Sequence, residues 1–191
     1  MTPPRVPRAD AVRNRQKIVD AAREQIALHG PGVGMDEIAA AAGVAVGTLY
    51  RHFPNKTDLV TGVIAEYLQG VATEAEAAVE RLASGSRPLD EITGFLERVV
   101  EASAADRAVK SAALALGADP VDEAAVSRTV DALTVLIRAG QSDGDIHPDV
   151  TIDDFYLLFS TAPTDRPAPV RARWLILFLS GFTTRARDAD N

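Results

Sequence analysis

The sequence predicts an all-α protein of about nine helices, in which a three-helix N-terminal domain is followed by a larger C-terminal helical domain. Between turn residues, almost every segment repeats its apolar side chains at the spacing of an α-helix, and no convincing strand alternation occurs. Residues 38–53 contain two short helical patterns joined at a glycine. This is the arrangement of a helix-turn-helix, whose second helix enters the DNA major groove.

Composition limits the class of protein. The chain has 191 residues, which suits one large or two small domains, and it has no cysteine for disulfides or thiolate chemistry. No apolar run approaches the roughly 18 residues that span a membrane, and the N-terminal residues lack a signal-peptide pattern. We therefore expect a cytoplasmic protein without a membrane segment, and no motif indicates a cofactor.

Charge is distributed unevenly along the chain. The net charge is −7, yet residues 1–60 hold eight basic and six acidic side chains, so this part carries +2 and the rest −9. The asymmetry fits a small nucleic-acid module attached to a domain with another task. A solvated acidic surface with a chance basic end explains it equally well.

Helix-start and helix-stop residues predict the N-terminal helices. Residues 1–9 are Pro-rich and form a flexible basic arm, Asp10 caps the first helix and Gly30 ends it. Gly43 supplies the left-handed turn between the second and third helices. The predicted bounds are residues 10–29, 35–42 and 46–52. Together they define a helix-turn-helix domain at residues 10–55.

Residues 56–191 predict six further helices. Asn55 and Asp58 form a capping-box pattern at the start of the fourth helix, and Thr151 and Asp154 repeat it at the start of the eighth. Pro and Gly clusters separate the segments. The predicted bounds of the sixth, seventh and ninth helices are about 106–118, 122–139 and 169–187.

The last helix is apolar on all sides over Trp174-Leu175-Ile176-Leu177-Phe178-Leu179. A surface helix needs a polar outer face, so a second copy of the chain is the simplest cover. Burial of the helix inside one subunit is the alternative. The residues predicted for a homodimer interface are Phe155, Leu158, Trp174, Phe178, Gly181 and Phe182.

Four motifs lie in register between residues 15 and 60: K-I-V-D-A-A, H-G, D-E-I-A-A-A-A-G-V and V-G-T-L-Y-R-H-F-P-N-K-T-D-L-V. Together they resemble the TetR family of bacterial transcriptional regulators. The resemblance implies a homodimer that binds a palindromic double-stranded operator, with the C-terminal domain serving ligand binding and dimerisation. It also implies that a small-molecule inducer releases the DNA, so the protein would be a repressor.

The resemblance places DNA contacts on the third helix and at the start of the fourth. Tyr50 and His52 have polar tips suited to phosphate oxygens, and Lys56 lies in a first helical turn, where backbone N–H groups add positive potential. The predicted DNA-binding residues are Arg5, Arg8, Gly34, Ala45, Val46, Gly47, Thr48, Tyr50, His52 and Lys56.

Three positions depart from the family pattern. Gly34 and Ala45 stand where the family has capping side chains, and Val46 stands where a polar or basic residue is frequent. The recognition surface is therefore less polar than usual. We expect the arm arginines Arg5 and Arg8 to add contacts in the minor groove, although arginines on a loose tail are commonly only solvated.

In the family, a small molecule bound in the larger domain changes the spacing of the two recognition helices, and the fourth helix transmits the shift. The predicted pocket walls are apolar side chains whose default role is ordinary core. They are Leu96, Val99, Leu114, Leu133, Ile137, Phe159 and Trp174.

Two other classes of protein are alternatives to a TetR-like regulator. An enzyme or metal site would rest on D-G-D-I-H-P-D at residues 143–149, followed by Asp154. Pro148 stands where a calcium loop needs glycine, and turn chemistry explains the segment, so no catalytic or metal residue is assigned. A helical interaction module without specific DNA binding is the other alternative, and Val46 with the missing caps favours it.

Overall fold

The computed structural model describes residues 7–118 and 122–184, and nine α-helices lie within these ranges. In chain order they are α1 (Pro7–His29), α2 (Met35–Ala41), α3 (Val46–His52), α4 (Lys56–Ala83), α5 (Pro88–Ala105), α6 (Arg107–Ala115), α7 (Glu123–Ser142), α8 (Ile152–Thr161) and α9 (Ala168–Phe182). The predicted all-α fold class is confirmed. Across the described ranges, none of the helices combines the length and the apolar character that crossing a membrane requires.

The first helix starts earlier than predicted. It begins at Pro7, so the last three residues of the expected arm are helical, and Asp10 lies inside the helix instead of capping it. Proline suits a first helical turn because its missing N–H would have no partner there. Asp10 still favours the helix start, since its carboxylate lies near the positive end of the helix dipole and bonds Arg13.

The seventh helix runs past its predicted end. Gly140, expected to stop it, lies within the helix, which continues to Ser142. The glycine has a packing role, because a Cβ at this position would lie 2.6 Å from Cδ1 of the buried Ile146. The absence of a side chain thus lets the loop after α7 fold against the helix.

One compact unit of the chain comprises residues up to Tyr67 and the segment 105–121 around α6. In it α1 packs against α2, α3 and α6. An ion pair joins α1 to the start of α6, with Arg23 Nε 2.8 Å from the buried carboxylate of Asp106. The core of this unit is apolar and includes Ile18, Val19, Ala22, Ile26, Ile38, Leu49, Phe53, Leu59 and Val63.

The second compact unit comprises residues 68–104 and the chain from Asp122 onward. Aromatic rings are prominent in its core: the ring centroids of Phe155 and Phe182 lie 5.4 Å apart. A polar network joins α4 to α7, because Arg128 donates to Glu76 at 2.8 Å and to Gln69 at 2.8 Å. This unit holds the large apolar cluster in which α5, α7, α8 and α9 meet.

At the start of α4 the predicted cap bond of Asn55 forms, and at the start of α8 the predicted capping box forms. Asn55 Oδ1 accepts a hydrogen bond of 2.9 Å from the Asp58 N–H at the start of α4. Asp154 accepts one of 2.7 Å from the Thr151 N–H at the start of α8. Each bond satisfies a backbone donor that has no partner within its own helix.

Two glycines of α4 provide a test of the packing. A Cβ at Gly62 would lie 2.6 Å from Cε1 of the Phe53 ring, whereas a Cβ at Gly70 meets no atom within 4 Å. We expect Gly62→Ala to lower the free energy of unfolding by about 1–2 kcal/mol through overpacking. Gly70→Ala, the matched control, should raise it by about 0.5–1 kcal/mol because alanine is the better helix former. Urea denaturation measures both; a stabilised Gly62→Ala would contradict the packing.

Candidate nucleic-acid interface

The turn between α2 and α3 has the geometry that its sequence predicts. Gly43 has a φ of +64°, a backbone conformation that side chains disfavour, and the Val44 N–H then bonds the Ala39 carbonyl at 3.1 Å. Ala39 is fully buried, so its small side chain lets α3 come close. The turn therefore fixes the direction in which α3 leaves α2.

The third helix is attached to the domain by its inward side. Leu49 is fully buried in the core of the first compact unit, and Phe53 follows it one turn later. The guanidinium of Arg15 lies over the Phe53 ring, and its Cζ is 5.3 Å from the ring centroid. These contacts leave the opposite side of α3 exposed.

The predicted DNA-binding residues of α3 lie on or beside this exposed side. Val46, Gly47 and Tyr50 are exposed, Tyr50 by 44% of its surface. Thr48 and His52 are half-buried at the flanks. The arrangement provides a convex helical surface of the width that a major groove admits.

At the N-terminal ends of α2 and α3, where capping side chains are missing, different backbone hydrogen bonds form. At Gly34, the Glu37 carboxylate reaches back and accepts the Gly34 N–H at 2.7 Å, so half of a capping box remains. Ala45 makes no side-chain bond at the start of α3, and its carbonyl accepts the N–H of Thr48 at 2.7 Å. Both residues lie near the helix starts, as the resemblance implies.

Lys56 is engaged within the protein. Its ammonium donates to the backbone carbonyls of Pro31 and Val33, in the loop between α1 and α2. Burial lowers the pKa of Lys56, and the charge of the Glu37 carboxylate partly offsets that effect. An ammonium has three donors, so one remains for a phosphate oxygen while two hold the loop.

Two of the predicted DNA-binding residues belong to the N-terminal arm. Arg5 lies outside the described residues, and Arg8 belongs to the first turn of α1 without a described side chain. Sequence reasoning missed Arg51, which is exposed on α3. The signal was available, since Arg51 lies two residues after the inward Leu49 and therefore on the opposite side of the helix.

Six of the seven predicted pocket residues belong to the core of the second compact unit or pack against it, and Leu114 does not. Most of them are core, where Leu96 and Leu133 are buried and Phe159 and Trp174 pack against the same cluster. Val99 and Ile137 belong to that cluster as well. Leu114 does not: it lies on α6 in the first compact unit, with 80% of its surface exposed.

A groove of about 430 Å³ lies beside this core, between α5 and the start of α9. Its floor is apolar, and an ion pair crosses its edge, with Arg171 Nε donating to Glu101 at 2.9 Å. The pair lowers the pKa of the Glu101 carboxyl through the Arg171 hydrogen bond. The lining residues are Glu97, Val100, Glu101, Ala168, Pro169, Arg171, Ala172 and Leu175.

The residues predicted for a dimer interface have different exposures. Phe155, Leu158 and Phe182 are buried within the subunit, so they have little surface to offer a partner. Trp174 and Phe178 are partly buried against the core, and Gly181 is exposed. The exposed apolar side chains of α8 and α9 are instead Tyr156, Leu157, Val170, Ile176 and Leu177.

Asp145, within residues 143–149, has a structural role. Asp145 accepts a hydrogen bond of 2.7 Å from Arg87, which raises the pKa of that arginine. The nearby Asp154 caps α8. Within the described residues, no group of three or more His, Asp or Glu side chains has the geometry to hold a metal ion.

Comparison with known families covers both parts of the chain. Residues 18–63 match the family described as bacterial regulatory proteins, tetR family. Residues 87–184, about half of the chain, match the domain described as transcriptional regulator SbtR-like, C-terminal domain.

Individual proteins agree with these matches. The HTH-type transcriptional repressor LfrR of Mycolicibacterium smegmatis is 38% identical over 101 residues, which is 53% of this chain but only 49% of LfrR. The crystal structure of a TetR transcription regulatory protein from Mycobacterium vanbaalenii has 30% identity and a TM-score of 0.74, covering 93% of this chain and 99% of that one. For SCO0520 of Streptomyces coelicolor the identity is 25%, the TM-score 0.65, and the coverage 88% and 98%.

The fold and these matches define a helix-turn-helix transcription regulator, a class distinct from the enzymes considered above. The chain belongs to the TetR family of bacterial regulators.

Lys56 provides a test of the module's internal contacts. We expect Lys56→Met to lower the free energy of unfolding by about 1–2 kcal/mol, because two backbone carbonyls lose a charged donor. Lys17→Met, at an exposed position of α1, is the matched control and should change it by less than about 0.5 kcal/mol. Chemical denaturation measures both variants. Equal stability of the two would show that the Lys56 ammonium does not hold the loop.

Proposed function

We propose that the protein is a homodimeric repressor that binds a palindromic operator through α3 and leaves it when a small molecule binds. The observation that carries the proposal is the exposed side of α3, opposite the buried Leu49, in a module of the TetR family. LfrR, a relative over half of the chain, is named a transcriptional repressor, which favours repression.

DNA contacts in this proposal have two parts. Tyr50, His52 and the remaining donor of Lys56 contact phosphate oxygens and set the register of the protein on the duplex. Thr48, at a flank of α3, contacts a phosphate oxygen through its hydroxyl, and Val46 contacts a thymine methyl group or a sugar. Arg5 and Arg8 add contacts from the N-terminal end.

The proposed dimer interface is the exposed apolar side of α8 and α9. Tyr156, Leu157, Ile176 and Leu177 are each about half exposed in the single chain, although they are large apolar side chains. Several large exposed apolar side chains on two helices are typical of a protein interface. In a symmetric dimer, two copies of α3 can reach half-sites one helical turn of DNA apart.

The proposed ligand is a small molecule bound by the C-terminal domain. The groove between α5 and α9 has the volume and apolar floor of a ligand site. The predicted pocket residues Leu96, Val99, Leu133 and Ile137 lie in packed core nearby on the same helices or on α7. A metabolite screen for release of bound DNA would identify the inducer.

DNA binding is tested by fluorescence anisotropy on DNA from upstream of the protein's own coding sequence. We expect the observed affinity to fall linearly on a logarithmic scale as salt increases, because phosphate contacts release counterions. Tyr50→Ala should weaken binding without changing the melting temperature, since Tyr50 is exposed. Leu28→Ala, at an exposed position of α1, is the control. If the unmodified protein binds no DNA, the interaction-module alternative is favoured instead.

Dimer formation is tested with Leu177→Glu. We expect this variant to be a monomer in sedimentation velocity experiments, because a buried carboxylate without a partner opposes association. It should also bind the operator much more weakly, since both half-sites must be held together. Leu114→Glu makes the same change at an exposed leucine of α6 and should leave the dimer intact. A dimeric Leu177→Glu variant would place the interface elsewhere.

A further inference from the structure

Arg51 lies at the middle of the exposed side of α3. Successive residues of an α-helix are turned by about 100°, so Gly47 and Arg51 both point about 160° away from the inward Leu49. Tyr50 and Thr48 point about 100° to either side and therefore lie at the flanks. When a helix lies in a major groove, its middle faces the base edges and its flanks face the phosphate-lined walls.

The side chain of Arg51 is held along this middle line. Its Nε donates to the Gly47 carbonyl at 3.1 Å, and its Nη2 donates to Thr48 Oγ1 at 3.4 Å. Within the described residues, Arg51 forms no salt bridge, and its Nη1 forms no hydrogen bond. The guanidinium thus stays on α3 with donors to spare, and Gly47 adds no side chain that would hold the helix away from DNA.

The neighbouring positions leave direct reading of bases largely to Arg51. Ala45, Val46 and Gly47 have no side-chain donor or acceptor, so they distinguish bases only by shape or by contact with a thymine methyl group. Thr48 accepts from Arg51 and keeps its own hydroxyl proton to donate. Arg51 is the strong donor at the middle of this surface.

We infer that Arg51 is a specificity-determining residue that recognises a guanine in each operator half-site. A guanidinium donates two parallel hydrogen bonds to O6 and N7 of guanine in the major groove, a pattern that no other base offers. The inference rests on the proposed DNA-binding function. It names the base pair, G·C, that the recognition helix requires.

The experiment compares the intact protein with Arg51→Ala, Arg51→Lys and Arg107→Ala. A binding site is first selected from a randomised duplex pool with the unmodified protein. Affinities are then measured for every single base-pair substitution of that site. Arg107→Ala removes the same charge from an exposed position of α6 and controls for the loss of general attraction.

The unmodified protein should lose about 10-fold or more in affinity when one particular guanine in each half-site is replaced. In Arg51→Ala this penalty should fall to within about 2-fold, while the penalties at other positions persist. Arg51→Lys should recover part of the penalty, because an ammonium donates without the planar fork of arginine. Arg107→Ala should retain the full guanine penalty.

Two results would overturn the inference and leave the proposed function intact. In the first, Arg51→Ala keeps the guanine penalty, so another group reads that base. In the second, Arg51→Ala weakens binding to all sequences equally and reduces the salt dependence, which identifies a phosphate contact. If the unmodified protein selects no sequence from the pool, the proposed function itself fails, and the inference fails with it.

Discussion

The burial of Leu49 is the contact on which the recognition surface depends. A helix of seven residues is far too short to be stable alone, so α3 exists because the domain holds one side of it. Leu49 and Phe53 supply that attachment, and Gly43 sets the direction from which α3 arrives. The opposite side is exposed for the same reason, because a helix of about two turns that packs on one domain buries only the side that faces it. The packing of Leu49 thus both attaches α3 to the domain and leaves the opposite side of α3 exposed.

Several positively charged side chains of the first compact unit bind groups within the protein. Arg15 stacks on the Phe53 ring, Arg23 pairs with Asp106, and Lys56 holds the loop before α2. The positive balance read from the sequence therefore overstates the charge available to DNA. Among the described residues, Arg51 is the arginine that α3 itself exposes, and the proposed recognition of a base sequence therefore rests on it.

The larger domain combines a closed core with two exposed features. Its buried apolar side chains form one cluster, which includes Phe95, Leu136 and Phe155. The groove of α5 and α9 and the apolar side of α8 and α9 lie at the edge of this core. The residues of α4 are divided between the two compact units, because the first unit includes Tyr67 and the second begins at Leu68.

The sequence by itself determined the helices, the turn at Gly43, the caps at Asn55 and Thr151 and the inward direction of Leu49. These features depend on residues a few positions apart, and local patterns report local geometry. Only the tertiary structure decided that Lys56 binds carbonyls more than twenty residues earlier, that Phe182 is core while Leu177 is exposed, and that α7 continues past Gly140. An apolar helical pattern shows that a side chain must be covered, but the identity of its cover depends on segments distant in sequence. That information arises only when the helices pack.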